Sequence, residues 1–433
     1  MLVIFSLIIE LVIGSLILDK STVYEEFSIA CIVLNSIMIL ILLHQNYSRY
    51  ITPLLIAYFI RVFLLFADYY KLFPIIHSGM DSEAFHYIAM QNAKVGMLRY
   101  QLTNYSTIIS IFYFIIGTQR LFVQYINVLC GMGTIFFIIK SLDLLKLEKS
   151  TKTVFVSFAC FLPHFIIFSG IFLRESLIIF AVSISVYFFV KWYLRDEIYN
   201  FVFSCLFVLF AAWLHSGMIG CLAGYLIGYS LYDKKSKELK FKFNSIGTIS
   251  VCCMLFIYLI STGYFTGYFD KLLDSEDEFS TLVEQVNFQS EGGSAYLTWI
   301  NANNPIQAIL FSSLKMLYFL FSPLPWDWRG ISDIIAFCFS SLIVFYLIWI
   351  TFKHLKYIKK KSGKTLVKIL LIASLITTFI YSLGVAASGP AMRHRTKIVP
   401  ILIVTAALAY DAKLKNNKKI LYNGKDIINI QVS

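Results

Sequence analysis

Charge is what this sequence has least of. Only 14% of its 433 residues are Asp, Glu, Lys or Arg, while 58% are hydrophobic; about a quarter of an ordinary soluble domain is charged. No water-soluble core uses that much apolar side chain. Short alternating apolar segments are missing too, which sets aside a transmembrane β-barrel. There is no fixed-period repeat, no low-complexity tract and no separate soluble domain. The eight cysteines, Cys31, Cys130, Cys160, Cys205, Cys221, Cys252, Cys253 and Cys338, fall inside apolar runs without zinc-ligand spacing to histidine. They read as packing residues, with neither disulfides nor a metal expected. The first run, Leu2 to Leu18, lacks a basic leader and a small-residue cleavage site and carries Glu10 in its middle, so it reads as a retained transmembrane helix.

What is present is a series of runs long enough to cross a bilayer as helix, which takes roughly 17 to 25 residues. After Leu2 to Leu18 come Phe27 to His44, Ile51 to Ala67, Leu121 to Ile139, Thr153 to Ser169, Ser176 to Tyr193, Phe201 to Trp213, Gly217 to Tyr232, Ser245 to Thr262, Ser332 to Phe352, Leu366 to Ala386 and Ile398 to Tyr410. This predicts an all-α polytopic membrane protein of about twelve transmembrane helices. Residues 1–412 form one integral membrane domain with external loops 68–120 and 263–331, and 413–433 form a basic cytoplasmic tail. Lysine clusters at 146–152, 234–242, 353–361 and 413–419 all fall in loops of one parity. By the positive-inside rule those loops and both termini are cytoplasmic, with Ser236 inside and Ser290 outside. The net charge of +12 is therefore a topology signal rather than a sign of nucleic acid, for no Arg and aromatic stripe accompanies it. Charge on both flanks folds Phe201 to Tyr232 into a hairpin at His215 and Thr153 to Tyr193 into one at Arg174 and Glu175. Ile306 to Ser322 and Ile108 to Gly117 break the parity and read as re-entrant or interfacial helices on the external side.

The external strings hold the chemistry. Asp81, Glu83 and His86 stand in Gly79-Met-Asp-Ser-Glu-Ala-Phe-His. The long loop is acidic at Asp274 to Glu278, then reads Gly292-Gly-Ser-Ala-Tyr and Pro323-Leu-Pro-Trp-Asp-Trp-Arg329, and the last turn reads Ser388-Gly-Pro-Ala-Met-Arg-His-Arg395. Basic residues at the inner ends are lysine except Arg49 and Arg195, whereas outside stand Arg99, Arg120, Arg174, Arg329, Arg393 and Arg395. Topology is satisfied by either residue. Arginine suggests a demand for the guanidinium fork, which binds phosphate oxygens bidentately and stays charged in a poorly hydrated site. Arg174, Arg329, Arg393 and Arg395 are the phosphate-binding candidates; the plainer alternative is contact with lipid headgroups or the acidic loops.

Asp81 or Glu83 suits a general base, or else a hydrated loop acid or helix cap. Glu175 is a further acid, or simply neutralises Arg174. His215, at a hairpin apex, is a catalytic candidate, while His164 after Pro163 fits a kinked helix. Trp326 and Trp328 suit stacking on sugar rings or residence at a membrane interface. Glu10 and Arg61, at comparable depth in helices of the same direction, are expected to form a buried pair.

The string from Phe168 to Tyr225, with its Arg-Glu turn and Ala211-Ala-Trp-Leu-His-Ser-Gly217, resembles exopolysaccharide and O-antigen polymerases of the Wzy kind. In these a membrane-border Arg and a downstream His-Ser occur at this separation. Asp81 to Tyr87, followed by Gly117-Thr-Gln-Arg and the Leu121 helix, is similar to the first external loop of GT-C glycosyltransferases, whose acidic residue there is the catalytic base. The closing Arg393-His-Arg and Pro400 are similar to the end of such proteins. Many GT-C enzymes place the acidic loop after the first helix; here it follows the third. The resemblance implies a GT-C-like fold in the bacterial cytoplasmic membrane with an outward-facing active site. The implied activity joins polyprenyl-pyrophosphate-linked oligosaccharide repeats into a cell-surface polysaccharide, without nucleotide, metal or other cofactor. The implied partners are the polyprenyl-linked substrate, membrane lipids, a chain-length regulator and a flippase. A GT-C transferase using a polyprenyl-phosphate sugar donor is the alternative, and a lipid-oligosaccharide flippase or transporter the second.

Overall fold

A backbone in hydrocarbon must satisfy its own N–H and C=O groups, and here it does so as helix. The computed structural model of the chain describes residues 2–96, 103–241, 246, 247, 250, 287 and 294–431. Among these the only strands are a two-residue hairpin, β1 (Tyr232–Asp233) and β2 (Glu238–Leu239). Arg99, Asp274 to Glu278, Ser290, Gly292 and nearly all of the Ser245 to Thr262 run lie outside the described residues. Among the described residues five stretches are long and apolar enough to cross a membrane: Glu25–Tyr69, Arg120–Leu144, Glu175–Arg195, Ile331–Leu355 and Lys361–Leu383. The pair Lys149–Cys160 and Pro163–Gly170, bent by 46°, makes a sixth. The chain is thus an α-helical membrane protein. Expected passes such as Phe201 to Trp213 and Gly217 to Tyr232 appear as shorter apolar helices. Contacts divide the chain into two units, residues 1–136 with 156–180, and residues 137–155 with 181–433.

The first unit holds α1 (Leu2–Ile17), α2 (Glu25–Tyr47), α3 (Ile51–Tyr69), α4 (Met80–Val95), α5 (Asn104–Ile116), the start of α6 (Arg120–Leu144), the end of α7 (Lys149–Cys160), α8 (Pro163–Gly170) and the start of α9 (Glu175–Arg195). The 45-residue stretch from Glu25 to Tyr69 is two helices folded back on each other. Ser36 Oγ lies 2.6 Å from the Tyr58 hydroxyl, whereas 22 residues of one continuous helix would separate them by roughly 33 Å. The reversal is made at Ser48–Tyr50. At 13 residues α5 is about 20 Å long, too short to span. It ends at Gly117, φ 77°, where a Cβ would meet the Lys20 backbone at 3.1 Å.

Arg61 and Glu10 do not pair as expected. Glu10 accepts hydrogen bonds from Asn35 Nδ2 at 2.7 Å and Ser6 Oγ at 3.0 Å. Arg61, fully buried midway along α3, donates to the carbonyls of Ala57 at 2.8 Å and Cys160 at 3.3 Å. The reason is Pro163. A proline ends α7 and leaves its last carbonyls without helical donors, and a cation at a helix C-terminus answers both the orphaned oxygen and the dipole.

The second unit holds the end of α6, the start of α7, the rest of α9, α10 (Ile198–Leu214), α11 (Ile219–Leu231), α12 (Pro305–Phe321), α13 (Ile331–Leu355, with a π turn at Phe337–Ser341), α14 (Lys361–Leu383), α15 (Ser388–Arg395) and α16 (Val399–Gln431). The chain leaves α10 at His215 and folds back, so that Phe201 and Tyr229 stack at 4.5 Å. Gly220, Gly224 and Gly228 form one stripe on α11 against Thr377, Ala373 and Ile369 of α14, where an added Cβ would come within 2.2 to 2.7 Å of a neighbouring atom. Helices approach so closely only where one of them lacks side chains. α16 continues to Gln431, through most of the residues read as the basic tail. Asp411 accepts from the Glu148 amide and the Thr151 hydroxyl at 2.7 and 2.9 Å, capping the N-terminus of α7, and pairs with Lys415 one turn on.

Candidate functional site

In the first unit, α4 starts after Gly79, whose φ of 141° favours glycine. Asp81 and Glu83 occupy its first turn, where carboxylates meet the positive end of the helix dipole. Its buried face, Ser82, Phe85, Ala89 and Asn92, recurs at helical spacing, and Phe85 meets Tyr105 of α5 edge-on at 5.3 Å. Glu83 receives both terminal nitrogens of Arg120 at 2.9 and 3.0 Å, and the same guanidinium lies 5.4 Å from the Phe172 ring. That bidentate bond holds the Glu83 carboxyl below its usual range. Beside it His86 Nδ1 lies 2.7 Å from the Tyr113 hydroxyl. Burial, then the charge of Arg120, pushes His86 down to about 4, so the ring is neutral at physiological pH. Asp81, two residues from Glu83 and therefore about 200° round the helix, is exposed.

The turn that presents Arg174 and Glu175 is stapled by Asn127 of α6. Its Nδ2 donates to the carbonyls of Ile171 at 3.0 Å and Leu173 at 2.9 Å, and its own carbonyl accepts from Ser176 Oγ at 2.7 Å. Arg174 follows with its guanidinium 5.8 Å from the Phe85 ring, and Glu175, the first residue of α9, is fully buried. Gln124 makes a similar link one turn away, donating to Asp68 at 2.7 Å and to the Gly170 carbonyl at 2.8 Å. Asp68 in turn accepts from Ser78, fixing the approach to α4.

In the second unit the strings 211–217 and 393–400 meet. His215 packs edge-on against His394 at 4.4 Å and lies 5.2 Å from Tyr381, which stacks on His394 at 5.0 Å. Lys397, fully buried, places Nζ 2.9 Å from His394 Nδ1 and 5.3 Å from the Tyr381 ring. With the lysine donating, Nδ1 accepts and the ring proton of His394 is left on Nε2. The long loop reaches the same end: the Tyr296 amide donates to Ala386 and the Ser388 amide to Ser294, both at 2.9 Å. Arg329 joins by donating to the Ala295 carbonyl at 2.8 Å while remaining exposed.

Arg395 departs from its expected role at a phosphate. It is wholly enclosed, with Nε donating to Ser340 Oγ, one terminal nitrogen to the Phe319 and Leu320 carbonyls, and the other to Ser341 Oγ, at 2.8 to 3.2 Å. From the end of α15 it caps the C-terminal carbonyls of α12 and is held by the two serines in the π turn of α13. Arg393, two positions earlier, is half-buried. Of the two tryptophans, Trp326 is 72% exposed and donates its indole N–H to the Tyr318 hydroxyl, leaving a face open for stacking. Trp328 packs edge-on against Phe337 and donates to the Pro323 carbonyl. Tyr381 and Lys397 were not anticipated. Tyr381 hides in an apolar run, and Lys397 borders one where topology alone would explain a cation. Comparison of the chain with protein-family models, curated proteins and solved structures finds no match.

Proposed function

We propose that this protein is a membrane glycosyltransferase of about twelve passes and GT-C-like build that polymerises polyprenyl-pyrophosphate-linked oligosaccharide repeats at the external face of the bacterial cytoplasmic membrane. The observation that carries the reading is the contact of His215 with His394. It joins the string that resembles polymerases of the Wzy kind to the closing Arg393-His-Arg string, distant in sequence. Lys397 completes the pair and Arg393 directly precedes His394 in the chain, a set of cations and ring N–H donors suited to a pyrophosphate.

In the reaction the acceptor sugar hydroxyl attacks the anomeric carbon of the donor repeat. The new glycosidic bond forms as the bond from that carbon to the pyrophosphate oxygen breaks, and the hydroxyl proton passes to a carboxylate. Lys397, Arg393, His215 and the Nε2 proton of His394 stabilise the charge that develops on the leaving pyrophosphate. The base rests on the resemblance alone, which makes Asp81, exposed and turned from the Arg120 pair, the first candidate. Glu175 is the second; Glu83 ranks last, since its bond to Arg120 weakens its hold on a proton.

The test incubates purified protein with a defined lipid-linked repeat in the absence of nucleotide. Longer lipid-linked products are expected, and Asp81→Asn should lower extension by roughly two to four orders of magnitude while retaining the carrier. Transfer of a single sugar from a polyprenyl monophosphate alone would move the assignment to the GT-C transferase. Absence of any new glycosidic bond would leave the flippase reading.

A further inference from the structure

A cavity of about 1140 Å³ opens in the second unit at the lysine-rich ends of its helices. Lys140 and Lys146 reach it from the end of α6, Arg195 from the end of α9 and Lys237 from the turn of the β hairpin. Lys359, Lys360 and Lys415 complete the lining, so seven cations face two carboxylates, Asp143 and Asp411. Both carboxylates are already answered, Asp143 by Lys152 and Asp411 by Lys415, Thr151 and the Glu148 amide. The excess charge is therefore positive.

The walls are tied together rather than merely adjacent. Tyr193 donates its hydroxyl to the Ser362 carbonyl at 2.8 Å, joining α9 to the start of α14. Thr365 donates to the Lys237 carbonyl at 2.9 Å, joining α14 to the β hairpin. The same lining includes apolar side chains, among them Leu144, Tyr187, Leu366 and Leu408. Three of the stretches suited to crossing a membrane end at this cavity: α6 at Leu144, α9 at Arg195 and α14 at Lys361. Helices of that length end at the level of lipid headgroups.

We propose that this cavity binds the phosphate-bearing headgroup of an anionic lipid, with the cations on the phosphate and the apolar side chains of the lining against the first part of the chains. A soluble phosphate would be drawn by the same charges, but it has no use for the apolar part of the lining, and the cavity exceeds what it can fill. Basic pockets between helices near a membrane border take acidic headgroups by this combination of charge and apolar contact. The proposal does not depend on the polymerase reading, for the cavity shares none of the residues assigned to that chemistry.

The experiment places the purified full-length protein in phosphatidylcholine nanodiscs and titrates in fluorescent phosphatidylglycerol, with inorganic pyrophosphate as competitor. Saturable binding is expected, weakened by on the order of tenfold or more in Lys146→Gln/Lys359→Gln/Lys360→Gln and retained in Lys359→Arg/Lys360→Arg, which keeps the charge and its topological signal. Equal binding by the Gln variant, or equal retention of labelled phosphatidylcholine, would overturn the site. Full displacement by pyrophosphate at the lipid's own concentration would overturn the lipid and make the ligand a soluble phosphate. Loss of nucleotide-independent chain extension in the same preparation would bear on the polymerase reading alone.

Discussion

Arg395 and Lys397, both fully buried, differ in what they touch. Every nitrogen of the Arg395 guanidinium donates to a serine or a helix-end carbonyl, so its work is internal. Lys397 instead meets His394 and the ring of Tyr381, in the cluster proposed to face the leaving pyrophosphate. We therefore expect His215→Ala and Lys397→Met to lower chain extension by roughly two to three orders of magnitude at near-normal abundance. Arg395→Lys should instead lower stability, by about 3 kcal/mol or more, because a single ammonium leaves several buried oxygens without donors. Thermal stability in detergent, measured beside activity, separates the two; a stable but inactive Arg395→Lys protein would return that arginine to the site. The string Arg393-His-Arg announced an unusual turn, but which of its arginines faces inward is a matter of helical phase and of Ser340 and Ser341, which lie too far away in sequence to be read with it. Glu83 shows the same limit. The acid was legible, and its bond to Arg120, 37 residues on, was not.

Helix ends were easier to read than helix contacts. Pro163 announces the break between α7 and α8, and flanking charge locates the turns at His215 and Arg174, since each signal is local. The packing of α11 on α14 also had a local signal, glycine at every fourth position from 220 to 228, which hydropathy does not register because glycine is nearly neutral on that scale. The stripe makes a test. A Cβ at Gly224 would lie 2.3 Å from the Cα of Ala373, and backbone cannot yield as a side-chain tip can, so Gly224→Val should cost about 3 kcal/mol or more. At Gly389 no atom lies within 4 Å of an added Cβ, and Gly389→Ala should be nearly neutral. Equal melting temperatures for the two variants would show that α11 and α14 can separate without loss.

At the scale of the whole molecule, composition alone established a helical membrane protein, because apolar content on this scale has no soluble use. The division into two units was not legible: α6, α7 and α9 each run from one to the other, and no linker marks the border. Nor was the bond of Arg61 to Cys160, which lies 99 residues further along the chain. That bond sets an order in time. A guanidinium at mid-helix costs roughly 2.5 to 3.5 kcal/mol to insert, and at about 5 to 20 residues per second the carbonyl that receives it leaves the ribosome some 5 to 20 s after Arg61 does. During that interval α3 has no lasting reason to stay across the bilayer and must be sheltered by the insertion machinery or by its hairpin partner α2. Nascent chains stopped after α6 should therefore show a cysteine placed at Tyr70 on both sides of the membrane, and chains extended through α8 on one side only. A single location for both lengths would mean that α3 is committed before its partner exists.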